Sequence, residues 1–184
     1  MKDSSIIFET ERLLIRTATV DDVDLYLNLW TNSEVMTNVG FPFGLKTSRE
    51  KIHKQISEQN DSEFDRLLVV VLKTTGESLG ECEMSPPNQD GIAKTDVKLL
   101  PEFWGKKYGV EVKKGLLSHL FTNTDCIAVE ATPNINNVAS IKMQEAVGGK
   151  RIGEEVFEFP EAARHFTTPV HHYIYRVERE NWIV

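Results

Sequence analysis

The chain has 184 residues, a formal net charge of −7, 40% hydrophobic and 27% charged residues, the profile of a single soluble domain over residues 1–184 with a sizeable core. The negative charge argues against general nucleic-acid binding, no apolar run approaches a membrane span, and the first apolar run is too short for a signal peptide, so a cytoplasmic protein with no membrane partner is expected. Cys82 and Cys126 lie far apart in apolar runs, which gives neither a disulfide framework nor zinc spacing and predicts buried free thiols.

Glu11 to Thr17 reads as a strand, because Leu13 and Ile15 alternate with Arg12, Leu14 and Arg16. Thr19 or Asp21 can cap a following helix with Val23, Leu27 and Trp30 along one side and Leu25 and Leu29 adjacent. Residues 40–44, Gly-Phe-Pro-Phe-Gly, form a turn-rich loop with exposed aromatics. Thr47 or Ser48, with Glu50 and Lys51 behind, opens a second helix through Ile52 and Ile56. The unbroken apolar run Leu67 to Leu72 fits a central strand covered on both faces. Thr75-Gly76 turns the chain, and Ser78 to Met84 pairs back as a hairpin partner. After a loop at residues 86–91, Ile92 to Leu100 is a strand and Val110 to Phe121 a helix with Val112, Leu116, Leu117, Leu120 and Phe121 as its apolar stripe. Ile127 to Ala131 is a strand. Asn137 to Val147 is a helix stopped by Gly148-Gly149, and Arg151 to Phe159 and His171 to Val177 are two last strands.

This order is an α/β chain with one strand–helix–strand crossover near its middle. No glycine fingerprint follows the first strand, and no Gly-x-x-x-x-Gly-Lys-Ser/Thr run exists, which excludes the dinucleotide and P-loop folds. The most informative stretch is 99–111, Leu-Leu-Pro-Glu-Phe-Trp-Gly-Lys-Lys-Tyr-Gly-Val-Glu. It reads as a strand, a glycine turn and the first turn of a helix. The first amides of a helix have no intrahelical partner and carry the positive end of the dipole. Gly105 and Gly109 admit close approach, Lys106 and Lys107 add charge, and a pyrophosphate fits there. Taken alone, the same residues also describe an ordinary helix start with two surface lysines.

Several segments together resemble the GNAT acyltransferases, in particular the branch that modifies ribosomal-protein N-termini and its small relatives. Thr10 to Arg16 with Asp21-Asp22 is similar to that branch's opening strand and cap. Pro101 to Gly109 is similar to its pyrophosphate loop, and Asn137 to Ser140 followed by Gly148-Gly149 to its late helix. The resemblance runs from Thr10 to Tyr175. It implies a mixed, mostly antiparallel twisted sheet of about seven strands with about four helices, and acetyl-CoA bound between two splayed parallel strands, Ile92–Leu100 and Ile127–Ala131. The backbone of Leu99 and Leu100 would hold the pantetheine arm. The amides of Gly105, Lys106, Lys107, Tyr108, Gly109 and Val110 would hold the pyrophosphate, with Asn137 and Ser140 beside the cofactor. It also implies an amine acceptor, either a protein N-terminus or a small molecule, and often a homodimer.

The chain departs from the family pattern in places. Trp104 replaces the usual Arg or Gln at the start of the loop. Lys107 stands where glycine is usual, which a helical backbone there would tolerate. Gln144 occupies the position of a frequent tyrosine acid, leaving Ser140 to hydrogen-bond the departing sulfur, the task the branch gives its serine. Acetyl transfer to an amine needs a neutral amine, alignment and a stabilised thiolate, and no metal. Glu83 and Glu158 rank first as candidate bases, although Glu81, Glu83, Asp96 and Glu158 each read more readily as solvated surface carboxylates, and a water chain could equally remove the proton. Glu81 and Glu83 share one strand face by period two. His171-His172 cannot easily chelate one ion, because neighbours on a strand point to opposite faces. The resemblance makes Phe41, Phe43 and Trp30 candidates for an acceptor pocket, with core packing as the equal alternative, and Tyr108 packs beside the loop. The alternative to an enzyme is a non-catalytic acyl-CoA-binding or regulatory module of the same fold.

Overall fold

The computed structural model describes residues 4–182; the start of the N-terminal run read for a signal peptide lies outside them. The strands are β1 (Ile6–Glu9), β2 (Leu13–Thr17), β3 (Leu68–Leu72), β4 (Ser78–Met84), β5 (Ile92–Leu99), β6 (Ala128–Ala131), β7 (Lys150–Phe157) and β8 (Val170–Glu178). The helices are α1 (Val23–Thr31), α2 (Ser33–Met36), α3 (Arg49–Ser57), α4 (Tyr108–Asn123) and α5 (Val138–Ala146). The eight strands form one sheet in the order β1-β2-β3-β4-β5-β6-β8-β7. Among the described residues only β5 and β6 run parallel, and α4 is the crossover between them. The class is the one expected, with one strand and one helix more. The additional strand is β1: Ile6-Ile7-Phe8-Glu9 carries no alternation, and its pairing with β2 makes it a strand. The four-residue α2 is too short to show a period.

The sheet separates two apolar layers. On one side α4 lays Val112, Leu116, Leu117 and Leu120 against Leu13, Ile15, Val70, Cys82 and Met84. On the other, α1 and α3 lay Tyr26, Leu29, Trp30, Ile52 and Ile56 against Leu67 and Val69. β3 lies between the layers, so Leu68, Val69 and Val70 are all fully buried, as its unbroken apolar run predicts. Tyr26, absent from the expected stripe of α1, is wholly buried and donates its hydroxyl to the Leu68 carbonyl at 3.2 Å. Leu27 lies at the margin of that face. Both cysteines are buried and free. Ser48 caps α3, its hydroxyl accepting from the Lys51 amide at 3.4 Å. At the start of the first helical turn, Asp22 accepts from the Thr19 amide at 2.8 Å. Among the described residues no helix is long and apolar enough to cross a membrane.

Candidate active site

β5 and β6 are neighbours at Ile92↔Ala128, Ala93↔Val129 and Lys94↔Glu130, and beyond Lys94 they part. β5 continues to Leu99 paired only with β4. The Lys94 carbonyl accepts from Ser85 and the Leu100 amide donates to Leu79, so the even-numbered residues aim their polar backbone groups at β4. By alternation Val97 and Leu99 aim theirs into the gap. A wedge of unpaired strand edge therefore opens between β5 and β6. Leu100 does not contribute to it: its amide is bonded to Leu79 and its carbonyl accepts from Phe103 at 3.0 Å. Val97, not singled out in the sequence, takes that place. The Leu99 carbonyl accepts from the Trp104 indole Nε1 at 2.8 Å, which gives the half-exposed Trp104 a role in closing the end of the strand.

The loop after β5 supplies the second half of the site. After a 3-10 turn at Pro101–Phe103, Gly105 and Lys107 take left-handed conformations, with φ of 75° and 64°. The expectation of a helical backbone at Lys107 is thus corrected: Lys107 is the N-cap of α4 and left-handed, as a glycine there would be. Within the described residues, the amides of 105–110 donate to no backbone or side-chain acceptor, and intrahelical bonding begins at the Glu111 amide, which reaches the Lys107 carbonyl at 3.2 Å. Six free amides thus surround the head of a 16-residue helix, an arrangement that fits a pyrophosphate.

The loop is anchored from behind. Glu111 Oε1 accepts from the Thr10 hydroxyl at 2.6 Å and the Arg12 amide at 2.8 Å, and Oε2 accepts from Arg12 Nε at 2.7 Å. Burial pushes the Glu111 carboxyl up, but these hydrogen bonds outweigh it and hold it below the ordinary value. The Arg12 guanidinium also lies 4.5 Å from the centre of the Tyr108 ring and donates to the Lys106 carbonyl at 3.3 Å. Arg12 and Glu111 lie 99 residues apart, beyond the reach of any local sequence pattern.

α5 borders the loop. A Cβ at Gly109 would stand 3.2 Å from Met143 Sδ. Ser140 is one turn from Met143 and shares that face. Asn137 Oδ1 caps the helix by accepting from the Ser140 amide at 3.1 Å, which leaves the Ser140 hydroxyl without a hydrogen bond among the described residues.

The acidic candidates do not behave alike. Glu81 is 1% exposed, not a surface group. It accepts from Trp30 Nε1 at 2.9 Å and meets Lys98 Nζ at 3.3 Å. Burial raises its pKa and Lys98 opposes the rise. Trp30 is therefore committed to Glu81. Phe41 packs edge-on against Phe159 at 5.3 Å, and Phe43 is exposed, so the three aromatics do not converge on one pocket. Glu83 is half-buried opposite Asp96, two residues past the last β5–β6 pair. Burial, and then the charge of Glu81, push its carboxyl up to about 7. It lines a cavity of about 350 Å³ with Gln55, Glu58, Asn60, Asp65 and Leu67. Glu158 lies exposed after β7, and no described hydrogen bond or ion pair joins it to Ser140 or Glu83. His171 and His172 alternate across β8 as expected, beside Glu154 and Glu155 respectively.

The acetyltransferase (GNAT) domain family matches residues 12–150. The uncharacterized N-acetyltransferase p20 of Bacillus licheniformis is 26% identical over 147 residues, 78% of this chain and 82% of that protein. Among solved structures, a GNAT-family acetyltransferase from Bacillus anthracis superposes with a TM-score of 0.76 at 20% identity, covering 94% of this chain and 98% of that one. Aminoglycoside acetyltransferase AAC(6')-Ib, solved with coenzyme A, superposes with a TM-score of 0.69 at 16% identity, covering 92% and 96%.

Proposed function

Because the chain belongs to the acetyltransferase (GNAT) family, an acetyl-CoA-dependent group of enzymes, we propose that it moves the acetyl group onto a primary amine in a ternary complex, as a cytoplasmic enzyme. The observation that carries this reading is the set of six free amides at 105–110 beside the open wedge between β5 and β6. The amides would hold the pyrophosphate, with Lys106 and Lys107 adding charge. The gap-facing groups of Val97 and the Leu99 amide would hold the pantetheine arm. Acetyl-CoA supplies the activated acetyl group.

Glu83 would take the proton from the attacking amine, and the free Ser140 hydroxyl would donate to the departing sulfur. Glu158 has no comparable support. A base near pKa 7 lies within about one unit of an α-amine at ~7.7–8 and about three units below a lysine at ~10.4. This favours an α-amine acceptor such as a protein N-terminus, in keeping with the segments that resemble the ribosomal-protein branch. A small-molecule amine of similar basicity fits equally.

Calorimetric titration with acetyl-CoA and CoA, beside a Gly109→Trp variant, tests the site. The variant forces an indole into Met143 and across the amides, and should bind at least about a hundredfold more weakly, a loss of about 2.7 kcal/mol. An amine screen read by thiol release then follows. A well-folded protein that fails to bind acetyl-CoA at millimolar concentration would overturn the proposal.

A further inference from the structure

β7 is the outermost strand on its side of the sheet, and among the described residues nothing pairs with its outer edge. Seven of its eight residues are exposed. Ile152, Val156 and Phe157 are each about half exposed, at 51%, 54% and 52%. Proteins ordinarily protect such an edge with charges, prolines or a covering segment. Here the charges are ordered: Lys150 and Arg151 lead the strand, and Glu154 and Glu155 follow Gly153.

The bulge in β7 makes this order symmetrical. Opposite β8, Lys150 faces Arg176, Arg151 faces Tyr175, Gly153 faces Ile174, Glu154 faces Tyr173 and Glu155 faces His172. Ile152 is the extra residue. Because one residue is skipped, Arg151 and Glu154 fall on the same face of the sheet, and Lys150 and Glu155 on the other. Regular alternation would have split both pairs. The contacts agree. Arg151 lies 3.6 Å from the centre of the Tyr173 ring, and it pairs with Glu154 within the chain.

We propose that two copies of this chain pair antiparallel through the outer edges of β7, about a twofold axis at Gly153. In this register Arg151 stands opposite the second copy's Glu154, and Lys150 opposite its Glu155, each on a shared face. The axis generates four unlike-charge pairs, which reinforce a backbone ladder. At the axis two glycines meet, with no side chain to hold the strands apart. Moving the axis one ladder place sets Arg151 or Glu154 against its own copy, and a parallel arrangement sets every charge against its like. The charges that would repel a foreign strand therefore select one partner in one register. Association would also withdraw Ile152, Val156 and Phe157 from water.

The test is sedimentation equilibrium on the full chain and two charge-reversed proteins, Lys150→Glu/Arg151→Glu and Glu154→Lys/Glu155→Lys. Neither pair belongs to the proposed acetyl-CoA site, so retained acetyl-CoA binding and an unchanged far-UV circular dichroism spectrum confirm folding, whereas the melting temperature is expected to fall with the dimer. The parent is expected to be a dimer. Each variant alone, with a strand of one sign, should dissociate about a hundredfold more readily. Mixing the two in equal amounts should restore a dimer, because the all-acidic strand then meets the all-basic one. A monomeric parent, a dimer indifferent to both reversals, or folded variants that stay monomeric when mixed would each overturn the proposal.

Discussion

Lys107 and Glu83 are both ordinary residue types placed under constraint. A lysine at φ 64° is held in a region that costs an L-residue about 1–2 kcal/mol. The surroundings impose it because the chain must turn sharply from β5 into α4 and still present its amides outward. Glu83 is constrained through its proton. Its carboxyl, raised to about 7 by burial and by Glu81, binds a proton more tightly in the folded protein than in the unfolded chain. The folded state therefore loses stability as pH climbs from the ordinary glutamate range through about 7. Glu83→Gln should remove that loss, so its melting temperature should gain on the parent's between pH 5 and 8. The same variant should lower kcat about a hundredfold at pH 7 and abolish the rise of kcat/KM with pH near 7. Activity within a few fold of the parent, with the pH limb intact, would assign the proton to another group.

At the scale of elements, the anchor between β2 and α4 matters most to the site. Glu111 satisfies Thr10, the Arg12 amide and the Arg12 guanidinium at once, and Arg12 in turn stacks on Tyr108 at the head of the helix. The start of α4 is thus fixed to the sheet rather than left as a free helix end. Glu111→Ala leaves the half-buried Arg12 amide without its acceptor. It should cost about 1–3 kcal/mol in urea unfolding and raise the Kd for acetyl-CoA with no group lost from the site itself. A variant with unchanged stability would show that the anchor contributes nothing. α4 also holds Lys113, 1% exposed, against the Thr95 hydroxyl. Burial brings this amine down to about 7, with Asp96 opposing, so α4 carries a buried group that is easily neutralised below the wedge.

For the whole molecule, the decisive feature is that β5 and β6 pair at one end only. β5 and β6, the one parallel neighbour pair among the described strands, part beyond Lys94 and leave an unpaired stretch of β5 backbone. A ligand that completes this edge must stabilise the folded state. Acetyl-CoA at a hundredfold excess over its Kd should add about 2.7 kcal/mol to the unfolding free energy, read as a rise in melting temperature that Gly109→Trp abolishes. No rise in the parent at saturating ligand would contradict the reading of the wedge.

The sequence by itself determined the local units. The apolar run of β3, the stripe of α4, the start of α3 at Thr47 or Ser48, the glycine stop after α5, the buried thiols and the glycine-bearing loop were all legible, because each is set by residues within a turn or two of one another. The class of fold followed from their order, and the resemblance supplied the wedge. Tertiary structure alone decided the rest. It joined Arg12 to Glu111, buried Glu81 against Trp30, committed Leu100 to β4 and brought Val97 to the gap. It also turned Lys107 left-handed and used the bulge at Ile152 to align the charges of β7. These depend on strand register and on contacts between residues distant in the chain, whereas periodicity and capping report only on near neighbours.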